Sequence, residues 1–184
     1  VTEVVRLTLV SHAMTDAMAA GRFPGDEPLN GVGRRQVEAI AAQINRDVRQ
    51  LTGPERRARQ TARLLGLHPT TEPLLADLDC GRWRGQALEA VHPADIEAWL
   101  TEPRGAPHGG ESIVDMIERV ARWLESLAKT PPATPTVAVT HPAVIRSAIL
   151  LALDSPPKSF WRIDVAPVSR TVVHFRNGRW TLRL

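Results

Sequence analysis

The sequence has a single cysteine, Cys80, and its only lysines are Lys129 and Lys158. A lone cysteine closes no internal disulfide, which excludes a disulfide-stapled scaffold and makes a reducing cytoplasm the simplest expected home. No apolar run is long enough to span a membrane, so no membrane association is expected. The first residues enter a β-rich run at once, with Glu3 and Arg6 inside it, which is unlike a signal peptide. There is no internal repeat and no low-complexity segment. There is also no basic stripe interleaved with aromatics: the arginines are scattered among acids, so nucleic acid is not an expected partner. His12 and His141 lack a clear carboxylate or cysteine partner at metal-ligand spacing, so neither a metal nor another cofactor is expected.

What is present fits a globular domain. At 184 residues, with 43% hydrophobic and 23% charged residues, the chain suits one domain spanning 1–184 with a substantial core. The net charge is +3 and nearly every cation is arginine. Most of these arginines read as compositional bias, while a few are candidates for gripping phosphate through the planar guanidinium fork.

Apolar patterning gives a coarse layout. Residues 4–11 read as a strand and 13–29 as loop. Asn30 suits the N-cap of a helix reaching about Val48, followed by a short strand at Val48–Leu51. Pro54 suits the start of a helix over Glu55–Leu65 that Gly66 ends. Residues 70–83 are extended and irregular, short helical pieces follow at 86–91 and 94–101, and Ser112 can cap a long helix over Ile113–Leu127. A strand at Thr136–Thr140 leads through Pro142 into a helix ending at Leu153. The tail carries β-like runs at 160–165, 170–175 and 179–184, with Asn177-Gly178 as a hairpin turn. This alternation predicts an α/β fold with a mostly parallel central sheet covered by helices on both faces. The terminal hairpin offers an edge on which a homodimer could form.

Two of these strands end in histidine. His12 follows the run Val4–Ser11 and His141 follows Thr136–Thr140. In open α/β sheets ligands sit outside the carboxyl ends of the strands, so two such histidines can meet in one pocket. The other histidines, His68, His92, His108 and His174, read as surface or loop residues, and Trp83, Trp99 and Trp123 read as core rather than as an apolar mouth.

Several segments, in order, resemble the histidine phosphatase superfamily, the phosphoglycerate mutase-like fold. Leu9-Val10-Ser11-His12-Ala13-Met14-Thr15 resembles that family's Leu-Val-Arg-His-Gly-Glu-Thr strand end. Gly21 to Asn30, with Gly33 and Gln36, resembles its next loop and helix start. Thr52-Gly53-Pro54-Glu55-Arg56-Arg57-Ala58-Arg59-Gln60-Thr61-Ala62 resembles its Ser-Ser-Pro-Leu-x-Arg-Ala-x-Gln-Thr-Ala segment. Asp77 to Gly85 resembles Glu-x-Asp-Phe-Gly-x-Trp-x-Gly, and Gly109–Ser112 with Val139–Arg146 complete the set.

The resemblance implies a role for each matching residue. His12 is the expected nucleophile, a neutral imidazole that carries the phosphoryl group as phosphohistidine. His141 is expected to stabilise charge on the phosphoryl oxygens and Arg57 to grip the phosphate. Asp77, where the family most often has glutamate, is the expected general acid. Ser11, Arg22 and Glu111 are the expected substrate-binding residues, although Glu111-Ser112 also reads simply as a helix cap. Three positions break the pattern. Ser11 stands for arginine, Ala13 for glycine and Pro142 for glycine. Loss of one oxyanion-type donor typically costs about 10²–10³ in rate. Arg22, Arg82 or Arg146 could compensate, and Ser11→Arg is expected to raise turnover. The implied activity is metal-independent hydrolysis of a small phosphomonoester. The alternative is a catalytically impaired relative that binds an anion or a protein. Hydrolysis is favoured over a mutase reaction, which needs more cationic charge and a water-excluding lid.

Overall fold

The computed structural model describes residues 3–184. The fold is built outward from strand β1, Val5–Ser11, which is buried on both faces: Val5, Leu7 and Leu9 enter one hydrophobic cluster and Val10 the other. A strand with two buried faces belongs in the middle of a helix-covered sheet. The other strands are β2 (Arg49–Thr52), β3 (Thr70–Thr71), β4 (Thr136–Thr140), β5 (Arg170–Arg176) and β6 (Arg179–Arg183), in the order β3-β2-β4-β1-β5-β6. The first four run parallel, and the hairpin β5–β6 is added antiparallel beside β1.

Helices cover both faces, as the pattern predicted. Helix α5 (Ile113–Lys129) packs Met116, Val120, Trp123 and Leu124, and α6 (Pro142–Leu153) packs Val144, Ile145 and Ala148, into the larger cluster. On the opposite face α2 (Gly31–Ile40) contributes Val37 and α3 (Arg56–Leu64) contributes Ala58 and Ala62. Ser112 caps α5 in a capping box with Asp115. None of the helices described is long and apolar enough to cross a membrane.

Three local expectations are corrected. The segment 13–29 holds a short helix, α1 (Asp16–Ala20), which Thr15 caps and Gly21 ends in the left-handed conformation. The helix expected to reach Val48 stops at Ile40 and passes through one 3₁₀ turn, because Asn45 turns its side chain to the Asp47 N–H and the chain must extend into β2. The run at 160–165 begins as a 3₁₀ turn, Pro157–Arg162, not a strand. The second helical piece expected after residue 86 is α4 (Pro93–Thr101).

Candidate active site

Strand register brings the two histidines together. In the parallel pairing of β1 with β4, Ser11 lies opposite Thr140, so His12 and His141 leave the sheet side by side. The His12 N–H donates to Thr140 O at 2.9 Å, and the imidazole centroids are 5.1 Å apart. On the other side of β4, Thr52 of β2 pairs with Val139, which delivers Gly53, Glu55 and Arg57 to the same end of the sheet. This is the carboxyl end of three neighbouring parallel strands, where α/β folds place their ligands.

His12 is 3% exposed and sits with Nδ1 2.8 Å from Ala13 O. A carbonyl only accepts, so Nδ1 bears the hydrogen and Nε2 keeps its lone pair. Burial, with the charges of His141 and Arg57 beside it, lowers the His12 pKa to about 3. The ring is therefore neutral throughout the physiological range, as a nucleophile requires.

Arg57 is 2% exposed. Its guanidinium donates to Gly25 O at 2.9 Å and pairs with Asp77 Oδ2. The same carboxylate oxygen lies 3.5 Å from His141 Nδ1. Burial alone would raise the Asp77 pKa, but the charges of His141 and Arg57 outweigh it and hold the group at about 2. The resting Asp77 carboxylate thus rests on the donors that an incoming phosphate would use.

The segment carrying Asp77 is braced from behind. Thr140 Oγ1 donates to Leu75 O, while Arg119 of α5 donates to Leu74 O and Ala76 O at 2.9 Å. Glu111 holds that arginine through two bonds of 2.9 and 2.7 Å. Glu111 therefore lies outside the cavity in front of His12, contrary to its expected contact with substrate; it fixes Arg119, which fixes the backbone of Asp77.

Ser11 is also corrected. Its side chain is fully buried and donates to Ala166 O at 2.6 Å while accepting from the Ser169 N–H at 2.9 Å. It clasps the 166–169 turn, where Val168 sits at φ +58°, a strained conformation for a β-branched residue. The space around Ser11 is filled by that turn, so an arginine there would have to displace it, and the expected gain in turnover from Ser11→Arg is withdrawn. Of the proposed compensating arginines, Arg22 and Arg146 line the cavity, whereas Arg82 is tied to Pro107 O.

The sequence reading missed Glu55. Its Oε2 accepts from the Asp77 N–H at 2.7 Å and its Oε1 lies 3.0 Å from His141 Nε2. Burial raises its pKa, but the contacts with His141 outweigh this and leave it lowered overall. The signal was legible: Glu55 stands at the Leu of the quoted Ser-Ser-Pro-Leu pattern, and Gly53 at its second Ser. A Cβ on Gly53 would lie 2.7 Å from Leu75 O and 3.2 Å from His141 Nε2, so a serine does not fit this arrangement. Arg119 was missed as well, because nothing local marks it. His108, read as a surface residue, is fully buried against Trp83 and Trp99.

The cavity in front of His12 measures about 260 Å³. His12, Arg57 and Asp77 lie in its wall, together with Arg22, Arg146 and a largely apolar remainder. Arg57 Nε and both ring nitrogens of His141 are buried without a well-aligned hydrogen-bond partner. Buried polar groups in that condition are costly unless a partner meets them. A tetrahedral anion seated between the imidazoles and the guanidinium would do so. Among the described residues, no group of three His, Cys, Asp or Glu side chains could hold a metal ion.

Residues 7–184 match the model of the histidine phosphatase superfamily (branch 1). The chain is 28% identical to phosphoserine phosphatase 1 of Hydrogenobacter thermophilus, over 96% of this chain and 89% of that protein. A mycobacterial glucosyl-3-phosphoglycerate phosphatase, solved in complex with VO3, superposes with a TM-score of 0.85 at 27% identity and 98% coverage of both chains. Phosphoserine phosphatase of Entamoeba histolytica, in complex with 3-phosphoglyceric acid, gives a TM-score of 0.87 at 25% identity, covering 98% of this chain and 95% of that one. Some longer mycobacterial relatives match over 53% of their length.

Proposed function

The chain belongs to the histidine phosphatase superfamily, and on that footing we propose that it hydrolyses a small phosphomonoester without metal, through a phosphohistidine on His12. The observation that carries this reading is the neutral, buried His12, whose Nε2 lone pair is kept available by the Nδ1–Ala13 bond within a cavity walled by Arg57.

The substrate's phosphoryl oxygens take the Arg57 and His141 donors, displacing the Asp77 carboxylate from them. The His12 Nε2 pair attacks phosphorus in line, forming the N–P bond as the P–O bond to the alcohol breaks. A substrate entering as its monoanion brings the proton; Asp77 takes that proton and passes it to the departing oxygen. In the second step water attacks the phosphohistidine and gives its proton to Asp77. The N–P pair returns to His12, Asp77 passes its proton to the departing inorganic phosphate, and the resting carboxylate is restored. Glu55 acts through its neighbours as a positioning residue, holding the Asp77 N–H and standing beside His141. Hydrolysis is favoured over mutase activity by the relatives named phosphoserine phosphatase and glucosyl-3-phosphoglycerate phosphatase.

One observation favours a second reading, a non-catalytic anion-binding module: Ser11 brings no charge to the site and its hydroxyl is spent on the 166–169 turn. Release of inorganic phosphate from p-nitrophenyl phosphate, in the presence of a chelator, separates the two. The proposal expects turnover that His12→Gln abolishes. Phosphate binding without turnover would establish the second reading.

A further inference from the structure

The cavity changes character away from the phosphate donors. Beyond His12, Arg57 and Asp77 the wall is mostly apolar and includes Trp99, Phe160 and Trp161, with Thr15, Arg22, Glu27, Cys80 and Arg146 as its polar members. The 3₁₀ turn Pro157–Arg162 creates this surface. It buries Phe160 to 1% exposure and leaves the next residue, Trp161, 40% exposed, with the ring centroids 4.9 Å apart at 84°. In a strand, adjacent side chains would have pointed to opposite faces and could not have shared one wall. Trp99 extends the aromatic surface, 6.1 Å from Trp161.

Arg146 belongs to the same surface. Its guanidinium carbon lies 5.6 Å from both the Phe160 and the Trp161 ring centroids, and its Nε donates to Ile163 O at 2.7 Å. The guanidinium is thereby tied over the rings and widens the planar platform. Against these rings a hydroxylated, strongly hydrated alcohol would lose water without gaining a hydrogen bond. A flat apolar group would lose only unfavourable hydration.

Resting on the phosphatase reading, we propose that the alcohol released by this enzyme carries an aromatic or comparably flat apolar group that seats against Trp161 and Trp99. The subsite thus selects aryl-alkyl phosphates over the small hydrophilic phosphates named for its relatives.

Two matched pairs test this. Hydrolysis of 3-phenylpropyl phosphate is compared with that of glycerol 3-phosphate, both esters of primary alcohols. Binding of 3-phenylpropylphosphonate, which cannot turn over, is compared with that of 2,3-dihydroxypropylphosphonate by calorimetry. The phenyl compounds are expected to win by about tenfold or more in kcat/KM and in Kd, roughly 1.4 kcal/mol. Trp161→Ala should bring both ratios close to one, and Trp161→Phe should restore part of them, with the melting temperature reporting an intact fold. A phosphonate preference without hydrolysis of either phosphate would overturn the phosphatase reading and leave the subsite standing. Hydrolysis of both phosphates with no preference, equal or undetectable binding of the two phosphonates, or a preference that survives Trp161→Ala would overturn the subsite.

Discussion

Replacing Asp77 with asparagine should move anion affinity and turnover in opposite directions. In the resting site the Asp77 carboxylate pairs with Arg57 and lies 3.5 Å from His141 Nδ1, so it competes with phosphate for the same donors. Two like charges about 4 Å apart repel by roughly 4 kcal/mol at an effective dielectric near 20. Solvent and side-chain rotation relieve much of that. We therefore expect orthovanadate or phosphate to bind Asp77→Asn about tenfold more tightly, near 1.4 kcal/mol. Asparagine cannot shuttle the proton, so kcat should fall by about 10²–10⁴. Removing one partner of a buried ion pair typically destabilises by about 3–5 kcal/mol, so the unliganded variant should melt earlier and recover when phosphate is added. Vanadate inhibition constants, single-turnover rates and melting curves with and without phosphate provide the assay. Weaker anion binding in the variant, or an unchanged kcat, would refute the competing role assigned to Asp77.

Ser11→Ala removes two buried backbone bonds from a strained turn and should destabilise by about 2–4 kcal/mol in urea unfolding; a loss under about 0.5 kcal/mol would contradict the clasp. Ser11→Arg should lower stability further and leave turnover no higher, as measured by steady-state kinetics. Glu55→Leu should cut kcat about tenfold by releasing the Asp77 N–H, with Glu55→Gln, which keeps an acceptor, recovering most of it. Acid should destabilise the protein early. His12 falls from 6.5 to about 3 on folding, so above pH 6.5 its contribution is complete, and below it the unfolded chain takes up a proton that the folded one refuses. His12→Gln should therefore flatten the pH dependence of the unfolding free energy, read from urea melts, between about 6.5 and 4 by up to about 1.4 kcal/mol per pH unit. Asp77 adds loss of the same sign as pH falls from about 4 toward 2. Turnover should decline above about pH 6, where the phosphomonoester loses the proton it must bring.

Periodicity marked three of the four parallel strands and the helices that cover them, because each buries a regular face; the two-residue β3, exposed at the sheet edge, carries no such pattern. β1, β4, α5 and α6 fall within a residue or two of where the pattern put them. The two histidines were legible for the same reason, since each follows an uninterrupted buried strand. What was hidden depended on distant partners. Ser11 looks like a weakened phosphate ligand until the 166–169 turn is seen to occupy its hydroxyl. Glu111 looks like a cap or a ligand until Arg119, one face along α5, is found between it and the Asp77 backbone. The Phe160-Trp161 pair has strand-like composition, but Pro157 starts a tight turn and tertiary burial of Phe160 settles it.

Wild-type protein mixed with a phosphorus-labelled substrate, quenched in alkali and digested, should carry the label on the peptide containing His12, and His12→Gln should carry none. Turnover with no label on His12, or label on a different residue, would contradict the account.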